Sequence, residues 1–317
     1  MKKYVIYILA VSLLTSFDNR KAPNLSAVAK SYIDEVITLL QNNSLNKNKI
    51  NWKEFRNDVY RQASGSKTVE NTYSSIDYVI SKLEDKHSYF AANIVSQDTG
   101  DLAPLPFLPD ETVPENIGYI RIGFCMGDEQ QTENYIHSVL DKMAKQDNIN
   151  LKGWIVDLRG NFGGNMWPML AALGPILGEG VLGYFFYPDN RFYTWNYKNG
   201  KVYDENGTWG QIPEDYHLKS PNPYVAVLTD NTTASSGEAV TIAFKGRDKT
   251  KSFGKHTYGV STGNQSHTLS DGSRINLTES VFADRNKTKY GASVYPDVEC
   301  DENKTLEEAI NWISSQP

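Results

Sequence analysis

The chain has 317 residues, long enough for one large domain or two smaller ones, and with 39% hydrophobic and 12% aromatic residues it builds a core rather than a disordered chain. Its formal charge of −6 is modest and spread along the sequence. No basic stripe marks it for nucleic acid, and no acidic run forms a solvating tail.

Chain order starts with Met1-Lys2-Lys3, followed by an uncharged apolar run from Tyr4 to Leu14. That run falls short of the about 20 apolar residues a spanning helix needs. A basic flank before a short apolar core reads as a secretory signal over residues 1–17, or as a short membrane anchor if it stays uncleaved. Ser12, Thr15 and Ser16 approximate a cleavage site, and no cysteine follows to carry a bacterial lipid anchor. Export is the expectation, with membrane contact only through this segment.

Residues 24–100 read as a helical bundle. Val28, Tyr32, Val36, Leu39 and Leu40 lie near helical spacing, as do Trp52, Phe55 and Val59, and then Tyr73, Ile76, Ile80 and Leu83. Residues 101–115 carry Pro104, Pro106, Pro109 and Pro114, which predicts an extended connector because proline fixes φ and removes a donor. From 116 to 317 strands alternate with helices. "NIGYIRIGF", "KGWIVDL", "VLGYFFY" and "YVAVLTD" read as strands; "TENYIHSVLDKMAKQ", "WPMLAALGPIL" and "TLEEAINWI" read as helices. An Asn199-Gly200 turn between alternating runs predicts a hairpin flap at about 185–215. The class is α/β, in the broader α+β sense.

Cys125 and Cys300 are the two cysteines; a disulfide in an oxidising compartment and two free thiols are both open readings. The five histidines show no metal-ligand spacing, so neither metal nor other cofactor is expected.

Two stretches carry chemistry. "DLRGNFGGN", residues 157–165, puts Gly160, Gly163 and Gly164 directly after an apolar strand. Such a loop can present backbone N–H groups to an oxyanion, or simply make a tight turn with Arg159 ion-paired. It is neither a P-loop nor a GxGxxG fingerprint. "TTASSGEAV", residues 232–240, begins a helix after a strand. Thr233 or Ser235 can cap it with Glu238 completing a capping box, and a serine here also sits at the positive end of the helix dipole. A nucleophilic serine needs a base, and "EDKHSYF" offers His87 beside Asp85 and Ser88. The other histidines are less suggestive: His137 falls within a helix, His217 in a polar loop, His256 and His267 in the strand-rich end.

The ordered set "LEDKHSYF", "GYIRIGF", "DLRGNFGG", "VAVLTDNTTASSGEAV", "SFGKHTYG", "LSDGSRINLT" and "YPDV" resembles the family of C-terminal processing, or tail-specific, serine proteases, over residues 25–300. The resemblance implies a core of strand–strand–helix repeats, as in the ClpP and crotonase folds, and cofactor-free hydrolysis of peptide bonds, often near substrate C-termini. It assigns Ser235 as nucleophile, with the backbone N–H of Ser236 and that of Gly163 or Gly164 as the oxyanion hole. Many members use a lysine base, but Val260 stands at its position and Lys255 lies too early. The "DKHS" segment instead resembles the Ser–His branch, which includes tricorn-type and nisin-resistance-type proteases and makes His87 the base. That branch's glutamate near the C-terminus is replaced by Tyr295, leaving Asp85 and Asp297 as candidates to orient the ring. Residues 91–117 leave no room for a PDZ module between "DKHSYF" and "GYIRI".

The expected partner is a peptide or protein substrate. The competing reading is a catalytically silent protein that holds a peptide or apolar ligand on the same fold; the lost lysine and glutamate favour it, and the retained His87, Ser235 and glycine loop oppose it. A crotonase-like acyl-CoA enzyme lacks any nucleotide-binding signal. Nothing in the sequence sets the oligomeric state.

Overall fold

The computed structural model describes residues 24–93, 108–212 and 216–317. The N-terminal signal or anchor and the first half of the proline connector lie outside these residues; residues 108–114 are irregular, as prolines dictate. No helix among the described residues is long and apolar enough to cross a membrane.

Three helices come first: α1 (Ala27–Asn43), α2 (Trp52–Gln62) and α3 (Tyr73–Ser81). Ser26 caps α1 by accepting from Ala29 N–H, and Asn51 caps α2 by accepting from Glu54 N–H. The buried stripe of α1 runs through Tyr32, Ile33, Val36, Ile37 and Leu40. Val28, expected on that stripe, is instead 59% exposed, because 3.6 residues per turn place it on the flank of a face centred on Ile33 and Leu40. Asp34 ties α1 to α2 through Arg56 and Tyr60.

The next unit is a parallel sheet. Its strands are β2 (Ile117–Arg121), β3 (Gly153–Asp157), β8 (Tyr224–Thr229), β9 (Thr250–Gly254) and β12 (Val298–Glu299), in the order β12-β9-β8-β3-β2. Both faces are covered at its centre, so β3 and β8 read as apolar runs rather than alternations. Trp154 and Val156 of β3 face one core with α4 (Glu129–Gln146), α5 (Met166–Leu177) and α6 (Ser236–Phe244). Ile155 between them faces the opposite core, under Ala309 and Ile313 of α7 (Thr305–Ser314). Helices α5 and α6 are apolar nearly all round and accordingly buried.

A second, antiparallel sheet wraps one end. Its strands are β1 (Tyr89–Ala91), β4 (Gly180–Phe186), β5 (Phe192–Lys198), β6 (Lys201–Asp204), β7 (Gly207–Gln211), β10 (Thr262–Thr268) and β11 (Arg274–Ala283). The order is β1-β11-β4-β5-β6-β7, with β10 also paired to β11. In place of a single hairpin flap, β4 to β7 form a four-stranded meander, turning at Asn199 (φ 49°) and Gly200 (φ 74°) as the sequence pattern requires. Strand β1 was not anticipated from sequence: three residues are too few for a periodic signal, and pairing of Phe90 with Ile275 of β11 forms it. The helical bundle shares its core with Leu269, Ile275 and Leu277 of the β10–β11 hairpin. Cys125 is buried, with its thiol pushed up to about 11 by burial, Cys300 is partly exposed, and both are free.

Candidate active site

Helix α6 starts where β8 ends, and the turn between them holds Ser235 at φ 50°, ψ −113°. A left-handed φ at a non-glycine residue costs of order 1–3 kcal/mol and persists only where surrounding contacts hold it. Here the Ser235 N–H donates to Glu238 Oε2 at 2.9 Å, the Glu238 half of the expected capping box. Glu238 is fully buried and accepts three further bonds, from Thr257 Oγ1 (2.5 Å), Gly259 N–H (2.9 Å) and Val260 N–H (2.9 Å). Burial pushes its carboxyl above the ordinary range, against the pull of those four donors. Val260, which stands where the resemblance led one to look for a lysine, thus serves as a backbone donor.

The glycine loop approaches from β3. Asn161 is fully buried and ties loop, strand and nucleophile turn together. Its Nδ2 donates to the Ile122 and Gly123 carbonyls, its Oδ1 accepts from Gly163 N–H at 2.9 Å, and its carbonyl accepts from Ala234 N–H at 2.8 Å. Asp230 adds a second tie by accepting from Gly160 N–H and from the Thr232 and Thr233 N–H groups. Gly163 (φ 120°) lies so close that a Cβ there would meet Ser235 Cβ at 2.9 Å. Beneath the loop, fully buried Asp157 accepts from Arg159, Arg121 and the Tyr119 hydroxyl, so the ion-paired turn and the donor loop coexist.

Of the two glycines expected to supply an oxyanion donor, Gly163 has its N–H committed to Asn161, whereas Gly164 N–H donates in none of the described hydrogen bonds. Ser236 opens α6, where N–H groups lack intrahelical acceptors. Its hydroxyl was expected to contribute nothing, yet it donates to the Gly164 carbonyl at 2.6 Å and links helix start to loop.

His87 arrives from the far end of the chain, after α3. Asp85 accepts from the backbone N–H groups of His87 (3.0 Å) and Ser88 (2.8 Å) and from the Ser88 hydroxyl, so its carboxylate shapes the turn rather than meeting the ring. Asp297 is elsewhere, bound to Lys245 and Ser252. Neither expected orienter is in place; instead the ring's Nδ1 lies 2.7 Å from Thr262 Oγ1. A hydroxyl carries no charge or motif, so sequence offered no signal for it. Burial holds His87 below the ordinary histidine value of 6.5, against the opposing pull of the Asp85 carboxylate. Lys255 points instead to Glu299 and Asp301, and the His256 ring lies tilted against that of Tyr295.

His87 and Ser235 line the same cavity, of about 770 Å³, together with Ser236, Gly164 and Thr262. Its far wall comes from the meander and α5, where Trp167 stacks on Trp209 with ring centres 6.0 Å apart. His87 and Ser235 also line a second, smaller cavity of about 360 Å³ with Lys86, Phe162, Tyr258 and Val260. The arrangement brings a hydroxyl on a strained backbone, an imidazole ring and backbone N–H groups at a helix start to one cavity, groups of the kind that acyl transfer uses.

The model of peptidase family S41 matches residues 116–300 of this chain. The nisin-resistance protein of Lactococcus lactis subsp. lactis is 29% identical over 269 residues, covering 84% of this chain and 80% of that protein. A lipoprotein from Streptococcus agalactiae superposes with a TM-score of 0.73 at 25% identity, over 91% of this chain and 96% of that one. The photosystem II D1 C-terminal processing protease superposes with a TM-score of 0.59 at 15% identity, over 91% and 98%, a likeness of fold alone.

Proposed function

Because the chain belongs to peptidase family S41, we propose that it is a serine peptidase in which Ser235 attacks a peptide carbonyl with His87 as general base. The observation that carries this reading is the meeting of Ser235, at its strained helix-start position, with His87 in one cavity, although the two are far apart in sequence. Because the Thr262 hydroxyl donates to the Val260 carbonyl, this reading puts a proton on His87 Nδ1 that Thr262 Oγ1 accepts, and keeps Nε2 unprotonated for the Ser235 hydroxyl.

In the first half-reaction Ser235 Oγ bonds to the carbonyl carbon and its proton passes to His87 Nε2. The N–H groups of Ser236 and Gly164 hold the oxyanion. Removing one such donor costs about 10²–10³ in rate, so the loop matters as much as the base. The C–N bond then breaks as His87 returns the proton to the leaving amine. Water attacks the acyl-enzyme, giving its proton to His87, and the C–Oγ bond breaks as Ser235 takes that proton back. The substrate is a peptide or protein cut near its C-terminus.

The basic, apolar N-terminal segment and the likeness to a streptococcal lipoprotein support action outside the cytoplasm, either released or held at the membrane. The test is covalent labelling by a serine-reactive phosphonate, read by intact mass, alongside hydrolysis of unstructured peptides. Wild type is expected to label once and cleave; Ser235→Ala loses the label, and His87→Ala labels and cleaves at least about 10²-fold more slowly. Labelling that survives Ser235→Ala sinks the nucleophile assignment. A wild type that neither labels nor cleaves supports a silent binding protein instead.

A further inference from the structure

The sheet that walls the large cavity carries a second cluster of rings on its outer face. Side chains alternate along a strand, so Phe185 of β4, Tyr193 of β5 and Phe282 of β11 line the cavity, while Tyr184, Phe186 and Phe192 face the other way. These three rings pack on one another with centres 5.3–5.8 Å apart, and Phe192 stays 43% exposed. Two lysines from the segment after β11 lie over them. Lys287 Nζ is 4.5 Å from the ring centre of Phe192 and 5.3 Å from that of Tyr184, and Lys289 Nζ is 4.2 Å from that of Phe186. Lys287 reaches its rings from φ 64°, a conformation that turns ordinarily give to glycine or asparagine. Neither ammonium has a carboxylate partner among the described residues. Glu205 is held by Thr194, and Asp284 by the Tyr290 hydroxyl and the N–H groups of Asn286 and Thr288.

We infer that this outer face is a docking surface for a membrane that carries anionic phospholipid. A cation–π pair at an exposed site is weak, so Lys287 and Lys289 exchange ring for lipid phosphate, where the contact is charge-assisted. The rings they uncover join Phe192 at headgroup level, where aromatic side chains are favoured. Charge selects this face. The chain carries −6 overall, so an anionic surface draws in a face that presents unpaired cations and repels the rest. Residues 4–14, apolar but too short to span, are a weak hold by themselves, and stable attachment takes a second contact. Docked this way, the sheet stands between the bilayer and the cavity that holds Ser235.

The experiment mixes the full chain with vesicles of phosphatidylcholine alone or of equal parts phosphatidylcholine and phosphatidylglycerol, read by co-sedimentation and hydrogen exchange. At low salt wild type is expected to bind the mixed vesicles about 25-fold more tightly than Lys287→Gln/Lys289→Gln, roughly fivefold per lysine, and salt narrows the gap. Amides of residues 187–192 and 284–290 gain protection on mixed vesicles and not on phosphatidylcholine alone. Phe192→Ser weakens binding with both lysines in place, and Lys287→Arg/Lys289→Arg retains it. The N-terminal segment is common to every variant, so the ratio reports this face. Hydrolysis of a soluble peptide is unchanged throughout, which keeps the result separate from the peptidase reading. Equal vesicle binding by wild type and the double glutamine variant overturns the inference, as does protection that leaves these two turns untouched. Binding to soluble polyphosphate as tight as to vesicles, with Phe192→Ser matching wild type on both, overturns it in favour of a general polyanion site.

Discussion

At the scale of single residues, the proposed base is a half-buried ring facing a hydroxyl. His87 accepts a proton only when neutral, and burial holds its pKa below 6.5. With His87 as the proposed base, the protonated fraction grows only as pH falls through that lowered value, so activity is expected to be full at neutral pH and lost in acid. The acid limb of kcat/KM is therefore expected below pH 6.5; a limb above it contradicts the buried-ring assignment. Thr262→Val removes the acceptor of Nδ1–H and frees the ring to adopt the wrong tautomer. We expect kcat to fall by roughly tenfold or more with KM little changed, short of the about 10²–10⁴ the base itself supplies, and Thr262→Ser to restore it. A Thr262→Val enzyme with an unaltered pH profile and kcat removes Thr262 from the machinery.

At the scale of elements, two loops at the ends of β3 and β8 must stay in register for the oxyanion donors to converge. Neighbouring parallel strands bring both loops to the same edge of the sheet. Side chains then lock them: Asn161 and Asp230 join loop to turn, Glu238 holds the strained Ser235 N–H, and the Ser236 hydroxyl grips the Gly164 carbonyl. Removing that last bond loosens Gly164, whose N–H the proposed mechanism uses, while sparing the proposed nucleophile and base. Ser236→Ala is accordingly expected to lower kcat by roughly tenfold, less than complete loss of an oxyanion donor, with phosphonate labelling still confined to Ser235. Full activity in Ser236→Ala would show that the loop holds its position without the hydroxyl.

At the scale of the whole molecule, the site joins chain ends through β11. That strand pairs with β1, β4 and β10, gives Ile275 and Leu277 to the helical-bundle core, and accepts at Thr278 O from Leu45 N–H. Its Thr278 N–H donates to Ser88 Oγ, and Asn264 of β10 donates to the His87 carbonyl. Asp271, in the turn before β11, accepts from the hydroxyls of Tyr32 and Tyr73. Leu277→Ala should thus cost about 2–5 kcal/mol in urea unfolding and also slow Ser235 labelling as the base loses its station. Ile313→Ala, equally buried but in α7 against the parallel sheet, should cost similar stability without slowing labelling of the folded enzyme; equal slowing in both would reduce the link through β11 to general destabilisation. Sequence by itself determined the apolar runs that became the parallel sheet, the Asn-Gly turn, the glycine loop and the helix start that presents Ser235. Each is written in local spacing or in the φ that only certain residues adopt cheaply. Tertiary structure alone decided that Thr262 rather than an aspartate faces His87, and that Asn161 takes the Gly163 donor and leaves Gly164. Those are contacts between distant segments made by short polar groups without periodicity, and only burial and strand pairing bring them within hydrogen-bond reach.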